Sequence, residues 1–286
     1  MKYHKPIDEL ISTRISRRDY QNIEIESSKL KSLEKDLKKS FTGLFGGKAH
    51  FKIIDTGVFD LDKKIKIGTY GMISNGRYFI YGITRKKKYD IIDFGYSFEK
   101  IILKATELEL GSCWLGAKFA KGDLLKHLQL KENEFIPAIS PIGYPRIKTS
   151  FKESLISWGI QARKRKSWSE IFFFGDFNLS LTEKDAGRFT TPLEWLRLGP
   201  SGRNTQQWRV VKEKDKDVFH FYIEMANKTS SDNLPKLVLL DIGIALCHFD
   251  LGVQNLKISG KFYVKAPEID CAKRHVYYIA SWAVTK

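Results

Sequence analysis

The chain has 286 residues, at roughly 150 per domain enough for one large domain or two packed halves, and its 42% hydrophobic content, with 19 Phe, 12 Tyr and 6 Trp against 8 Pro, excludes a disordered chain. Lys plus Arg at 49 against Asp plus Glu at 33 gives a net charge of +16, which suits an anionic partner: nucleic acid, a membrane surface or a phosphorylated small molecule. Three cysteines, Cys113, Cys247 and Cys271, without a CxxC pair argue against a disulfide framework or a structural zinc site and for a reducing compartment.

In chain order, Lys2, Lys5, Asp8 and Glu9 leave no apolar leader at the N-terminus. Ile7, Leu10 and Ile11 have helical spacing and are followed by the basic stretch 14–20 (RISRRDY), a candidate anion site that taken alone reads more readily as a solvated turn. Leu30, Leu33 and Leu37 predict a surface helix ended by Gly43, Gly46 and Gly47, and the nearly continuous apolar run 78–83 predicts a central strand. Phe98, Ile101, Ile102, Ala105 and Leu108 predict a central helix stopped by Gly111, and 136–143 reads as a further strand. The boundary between halves is expected near residue 160, giving 1–160 and 161–286. Beyond it, Thr191-Pro192-Leu193-Glu194 matches a capping box opening a helix to Leu198, 208–211 and 218–223 predict a hairpin, and 275–284 predicts a terminal strand. The apolar stretch 237–253, interrupted by Asp241, His248 and Asp250, predicts a buried helix with polar tips rather than a membrane span, and a cytoplasmic protein is expected.

No HExxH, GxSxG or Walker loop occurs, and the six histidines sit in unrelated contexts, so neither a metal site nor a catalytic acid–base residue is expected. His248, inside the apolar helix, reads as a core histidine. Four segments remain. In 14–20, Arg14, Ser16 and Arg18 are spaced to grip a phosphate, the arginines bidentately and the serine by its hydroxyl. The others are 108–116 (LELGSCWLG), 142–145 (IGYP) followed by Arg163 and Arg165, and 200–208 (PSGRNTQQW), a proline turn whose amides and hydroxyls suit a polar heteroaromatic ligand.

Together these segments resemble the nitroreductase family of flavoproteins. Residues 14–20 are similar to its RxSxRxF segment, 108–116 to LGLGxCWIG, 142–145 to its GYP strand end, and 200–208 to PSxxNxQPW, with Gln207 in place of proline. The resemblance implies an α+β nitroreductase-like fold of two pseudo-symmetric halves, with a central mixed or antiparallel sheet and long core helices. It implies FMN, with NAD(P)H as electron donor and a nitroaromatic, quinone or flavin-like acceptor. It assigns Arg14 and Ser16 to the phosphate with help from Arg163 and Arg165, Arg18 to the N1/C2 carbonyl of the reduced ring, Trp114, Leu115 and Gly116 to the flank of the isoalloxazine, and Pro200, Ser201 and Asn204 to the ring or ribityl. The flavin carries the chemistry, so no catalytic side chain is implied.

The PS loop lies in the first third of common family members but here follows residue 199, so each half keeps what the other lacks. A fused pseudo-dimer is expected, working as a monomer with one FMN. A weak internal similarity between 108–119 and 251–262 accords with this. Two other readings stay open, a flavin-binding protein without turnover and, further off, a basic nucleic-acid binder, although lysines scattered through 63–66, 86–88 and 212–216 do not interleave with aromatics as such a surface requires.

Overall fold

The computed structural model describes residues 1–39, 41–57, 69, 71–116, 128, 130–146, 161, 164–271 and 274–285. The chain divides into two compact units, Met1–Ala162 and Arg163–Lys286.

In the first unit, helices α1 (Ile7–Thr13) and α2 (Ser27–Leu37) precede strands β1 (Phe41–Thr42), β2 (Lys48–Asp55) and β3 (Tyr78–Arg85). Helix α3 (Lys88–Glu107) then leads to β4 (Gly111–Ser112), β5 (Glu134–Phe135) and β6 (Ile139–Gly143). The sheet runs β1-β2-β3-β6-β4 with β5 on the end of β3, and its pairings are antiparallel. The apolar run at 78–83 becomes β3, paired on both sides as its composition predicts. In the second unit, α4 (Trp168–Ile171), β7 (Phe172–Phe174), α5 (Glu183–Ala186) and α6 (Thr190–Leu198) precede the hairpin β8 (Trp208–Lys212) and β9 (Val218–Glu224). Helix α7 (Lys236–Asn255) follows, then β10 (Gly260–Tyr263) and β11 (Val276–Val284), in a sheet ordered β10-β11-β9-β8-β7 whose β7–β8 pairing is parallel.

Each unit therefore carries out the same construction. A hairpin (β2–β3 or β8–β9) leads into a 20-residue helix, the helix into an edge strand (β4 or β10), and the edge strand pairs with a returning strand (β6 or β11) that closes on the hairpin. This is an α+β fold of pseudo-symmetric halves, and among the described residues its sheets are two, antiparallel in the first unit and mixed in the second. The correspondence extends to how the long helices stop. Glu109 and Lys257 both turn into the left-handed region (φ 62° and 56°), and the amides of Leu110 and Ile258 each return 2.9 Å to a carbonyl five residues back, on Ala105 and Val253.

That geometry sets Leu108 opposite Leu256 and overturns the expected match of 108 with 251. The stop is not at Gly111 either: Glu109 makes the turn, and Gly111 is in β4 because a Cβ there would come 3.0 Å from the Arg17 side chain. Helix α3 also starts ten residues before Phe98, since Ile91, Ile92 and Phe94 extend the apolar surface around the helix. The strand expected over 136–143 begins only at Ile139, because Pro137 has no amide to give a ladder.

The box expected at 191–194 does not form. A 3₁₀ turn, Gly187–Phe189, feeds directly into α6, Thr190 donates to the carbonyl of Gly187 at 2.8 Å, and Glu194 pairs instead with Arg197 at 2.6 Å. A true capping box opens α4, between Ser167 and Glu170.

Helix α7 is long and apolar enough to cross a membrane by length and composition, yet 83% of its apolar window is buried within the protein. Asp241, His248 and Asp250 are buried with it rather than forming polar tips, and His248 Nδ1 lies 2.9 Å from the Trp195 carbonyl, a core histidine as its setting predicts. The centre of this core is Phe249, fully buried, its ring 5.1 Å from Phe221 and 5.4 Å from both Phe219 and Trp282. Phe249→Ala is expected to cost about 3–5 kcal/mol. Urea unfolding monitored by circular dichroism measures it, and a loss under about 1 kcal/mol would contradict this account of the core.

Candidate functional site

The basic stretch in the first unit is not a solvated turn. Arg14 ends α1 and the chain then runs extended, with Ser16 bridged to Ser112 and the Arg17 amide donating to the Ser112 carbonyl at 2.8 Å. On the other side, the Ser74 amide donates to the Arg18 carbonyl at 2.8 Å, and Tyr20 pairs with Pro145 while the Gln21 amide reaches the Tyr144 carbonyl at 2.8 Å. The structure thus brings three of the four sequence segments together: 14–20 lies between β4, which opens the CWLG stretch, and the GYP strand end. A Cβ at Gly143 would meet the Tyr20 ring at 3.1 Å, which explains the glycine there. Arg14 and Arg18 are 8% and 9% exposed, so two guanidiniums are held in a low-dielectric setting.

Helix α3 fixes the CWLG stretch to the basic one through a residue the sequence reading missed. Glu99 is fully buried, accepts the Trp114 indole N–H at 2.7 Å on one oxygen, and places the other 3.9 Å from Arg14 Nε. Phe98, beside it on the helix, packs edge-on against Trp114 with ring centroids 4.7 Å apart. Leu115 exchanges both backbone hydrogen bonds with Ile139 and buries its side chain among Phe79, Tyr81 and Ile136. Gly116, half-buried, follows directly. Nothing in the sequence singles out Glu99, one of four acids on α3.

In the second unit the loop 200–206 joins α6 to β8. Its geometry is strained: Arg203, Asn204 and Gln206 all adopt positive φ (52°, 58° and 47°), at about 1–3 kcal/mol each. Hydrogen bonds hold it there. The Gln206 amide donates to Ser201 Oγ at 2.9 Å, the Gln206 side chain accepts from the Lys166 amide at 2.8 Å, and Asn204 donates to the Lys164 carbonyl at 2.7 Å. The Gly202 amide points into α7, to both carboxylate oxygens of Asp241, at 3.0 and 2.9 Å. Burial pushes the Asp241 carboxyl up to about 7, only partly offset by that amide.

Arg165, expected at the phosphate, sits beside this loop with its guanidinium engaged. Nε and Nη2 donate to the Leu198 carbonyl at the end of α6 at 3.2 and 3.0 Å, and Nη1 to Asn204 Oδ1 at 3.3 Å. It braces the loop and caps the helix. Arg163 lies outside the described residues. Ser201 and Asn204 likewise spend polar atoms on building the loop, while Arg203 and Thr205 are exposed.

The donors present suit a phosphorylated heteroaromatic cofactor. Residues 14–20 hold three guanidiniums and a serine hydroxyl against one carboxylate, Asp19, which is itself paired with Arg146 at 3.5 Å. Among the described residues, no three His, Cys, Asp or Glu side chains are placed to hold a metal ion. A cleft of about 490 Å³ in the second unit is lined by Asp176, Glu213, His220 and Asp270, and contains none of the motif residues.

The family model described as "Putative TM nitroreductase" matches residues 6–253. Among solved structures, a "putative nitroreductase" of Thermotoga maritima is similar to this chain at 19% identity and a TM-score of 0.60, covering 99% of this chain and 95% of that one. A Clostridium difficile protein titled as an FMN-dependent nitroreductase matches at 24% identity and a TM-score of 0.39, covering 52% of this chain and 94% of that one. One from Desulfovibrio desulfuricans, crystallised in complex with FMN, matches at 18% identity and a TM-score of 0.41, over 53% of this chain and 95% of that one. No curated protein matches the chain. With a family model spanning most of its length, the chain belongs to the nitroreductase family.

Proposed function

We propose that the chain binds FMN and uses it to pass hydride from NAD(P)H to a nitroaromatic, quinone or flavin-like acceptor. The observation that carries this reading is the pinned stretch 14–20, whose two buried arginines and intervening serine lie along the start of the CWLG segment. When bound, FMN supplies hydride acceptance and donation at its ring, which is why no acid–base residue is asked of the protein.

The chain's own residues bind and orient. Arg14 and Ser16 hold the phosphate, Arg14 kept in place by Glu99. Arg18, buried, stabilises negative charge at the N1/C2 carbonyl edge, where low dielectric strengthens a guanidinium's effect. Trp114, fixed by Glu99 and Phe98, and the backbone of Leu115 and Gly116 flank the ring. In the second unit, Pro200, Ser201 and Asn204 are the ligand-facing part of the loop, Arg165 braces it, and Arg163 is assigned to the phosphate by resemblance alone. One RxSxRxF-like stretch and one PS loop per chain support the reading of one FMN per chain.

Replacing Arg14 and Arg18 together by alanine is expected to weaken FMN binding at least about tenfold per arginine, a charge-assisted hydrogen bond being worth roughly 1.5–3 kcal/mol. Fluorescence titration of the apoprotein measures this, and unchanged affinity in the double variant would sink the assignment.

Turnover is tested separately from binding. In anaerobic stopped flow, NADH or NADPH is expected to bleach the bound flavin and an added quinone to restore it. Reduction by dithionite but by neither nicotinamide would replace the enzyme with a flavin-binding protein.

A further inference from the structure

We infer that Asp241 is a positioning residue: from inside α7 it holds the 200–206 loop in its ligand-binding shape, while Asp93 performs the same service in the first unit for a loop without ligand-binding residues. The role given to the 200–206 loop rests on the flavin reading above; the contact itself does not.

The two aspartates are the same residue of the repeated construction. Asp93 is the sixth residue of α3 and Asp241 the sixth of α7, and each stands two before a glycine, Gly95 or Gly243. Both accept backbone amides from the loop that leads into the first strand of the hairpin. Asp93 takes Phe45 at 3.1 Å and Gly47 at 2.7 Å, just before β2. Asp241 takes Gly202 on both oxygens, shortly before β8. Both loops press onto the helix closely enough to need glycine: a Cβ on Gly43 would lie 2.2 Å from Asp93 Cβ, and one on Gly202 2.6 Å from Leu237 Cδ2.

Beyond that the loops differ. The first is Gly43-Leu44-Phe45-Gly46-Gly47, and its left-handed turn is at a glycine, Gly46 (φ 82°). The second carries Ser201, Arg203, Asn204 and Gln206 and places three of these four in the left-handed region. A loop whose left-handed turn is at a glycine carries no such strain, whereas one with side chains in that region has to be held against it, and the Gly202 amide anchors its strained end to the helix.

Ionisation makes the anchor testable. Burial lifts the Asp241 carboxyl from 3.8 to about 7 and that of Asp93 to about 6. Of the charged groups on the elements packed against α7, Glu194 is paired with Arg197 on α6 and Arg209 with Glu224 across β8 and β9; Arg203, in the loop, is exposed. None contributes to the shift of Asp241, which burial and the Gly202 amide account for. Raising pH through about 7 therefore converts a neutral acceptor into a charge-assisted one at the loop. The same rise costs stability, because a carboxyl whose folded pKa exceeds its unfolded one binds its proton more tightly in the folded state, so its contribution falls between 3.8 and about 7.

The experiment compares wild type, Asp241→Asn and Asp93→Asn at about pH 6 and pH 8.5, on either side of the Asp241 transition. FMN affinity comes from fluorescence titration, and amide protection of 200–206 from hydrogen exchange on the ligand-free proteins. At the higher pH, Asp241→Asn is expected to bind FMN about tenfold more weakly than wild type, with the ratio shrinking to about threefold or less at the lower pH. Ionisation of the FMN phosphate is common to all three proteins and cancels in the ratio. Asp93→Asn is expected to follow wild type within about twofold at both pH values. Asp241→Asn is also expected to raise exchange at Gly202 and Gln206 while α7 stays protected, and to lose less thermal stability than wild type between the two pH values. A ratio that does not change with pH, an equal loss in Asp93→Asn, or unchanged exchange in the loop overturns the inference. If wild type binds no FMN, the flavin reading fails, and the exchange measurement still decides whether Asp241 holds the loop.

Discussion

A carboxylate buried in an apolar helix has to find its hydrogen bonds in backbone amides, and each unit is laid out around where those amides come from. Asp93 and Asp241 each draw in the loop that precedes the hairpin of their own sheet. Glycines stand at the contact, Gly43 and Gly47 on α3 and Gly202 on α7, where a Cβ would collide with side chains of the helix. Because the loop continues into β2 or β8, and the hairpin in turn leads into the helix, the buried carboxylate ties both ends of a helix–sheet layer at one point.

In the first unit the same helix has a second task. Glu99 and Phe98 carry the Trp114 ring, Glu99 through the indole N–H and Phe98 through ring packing, and Glu99 also faces Arg14. At 3.9 Å the Glu99–Arg14 contact is an ion pair rather than a close hydrogen bond, so it offsets the burial of the guanidinium without consuming its fork. Three guanidiniums in 14–20 against one carboxylate leave a local excess of positive charge on a rigidly pinned backbone, which is the electrostatic condition for taking an anion.

How much of this could be read from sequence depended on how local the cause was. The long helices, the central strand 78–83 and the 208–223 hairpin were legible because period and turn chemistry lie within a dozen residues. The helix stop was misread because a glutamate, Glu109, takes the left-handed turn that glycine usually takes, and the glycine nearby was reserved for the approach of Arg17, nearly a hundred residues away. Likewise the box at 191–194 has the right letters, but a preceding 3₁₀ turn removes the extended cap it needs. Of the site, the basic stretch and the PS loop stood out as motifs, whereas Glu99 and Asp241 did not, since an acid within a helical run shows nothing of the tryptophan, arginine or amide it meets after folding.

The loops at Asp93 and Asp241 then show how two copies of one construction part ways. Strain of about 1–3 kcal/mol per left-handed residue is easily avoided by glycine, and the first unit avoids it at Gly46. The second unit keeps Arg203, Asn204 and Gln206 in that region and opposes the strain with the Ser201 hydroxyl, the Gln206 amide, the Arg165 guanidinium and the Asp241 carboxylate. Net hydrogen-bond contributions of about 1 kcal/mol each, and more for the charged partners, are of the size needed to balance such a loop but leave little surplus. A loop this evenly balanced gains nothing for the fold over a run of glycines. Its side chains are retained at a cost that folding alone does not require, and that is the physical reason for looking to this loop, rather than its glycine-rich counterpart, for contact with a ligand.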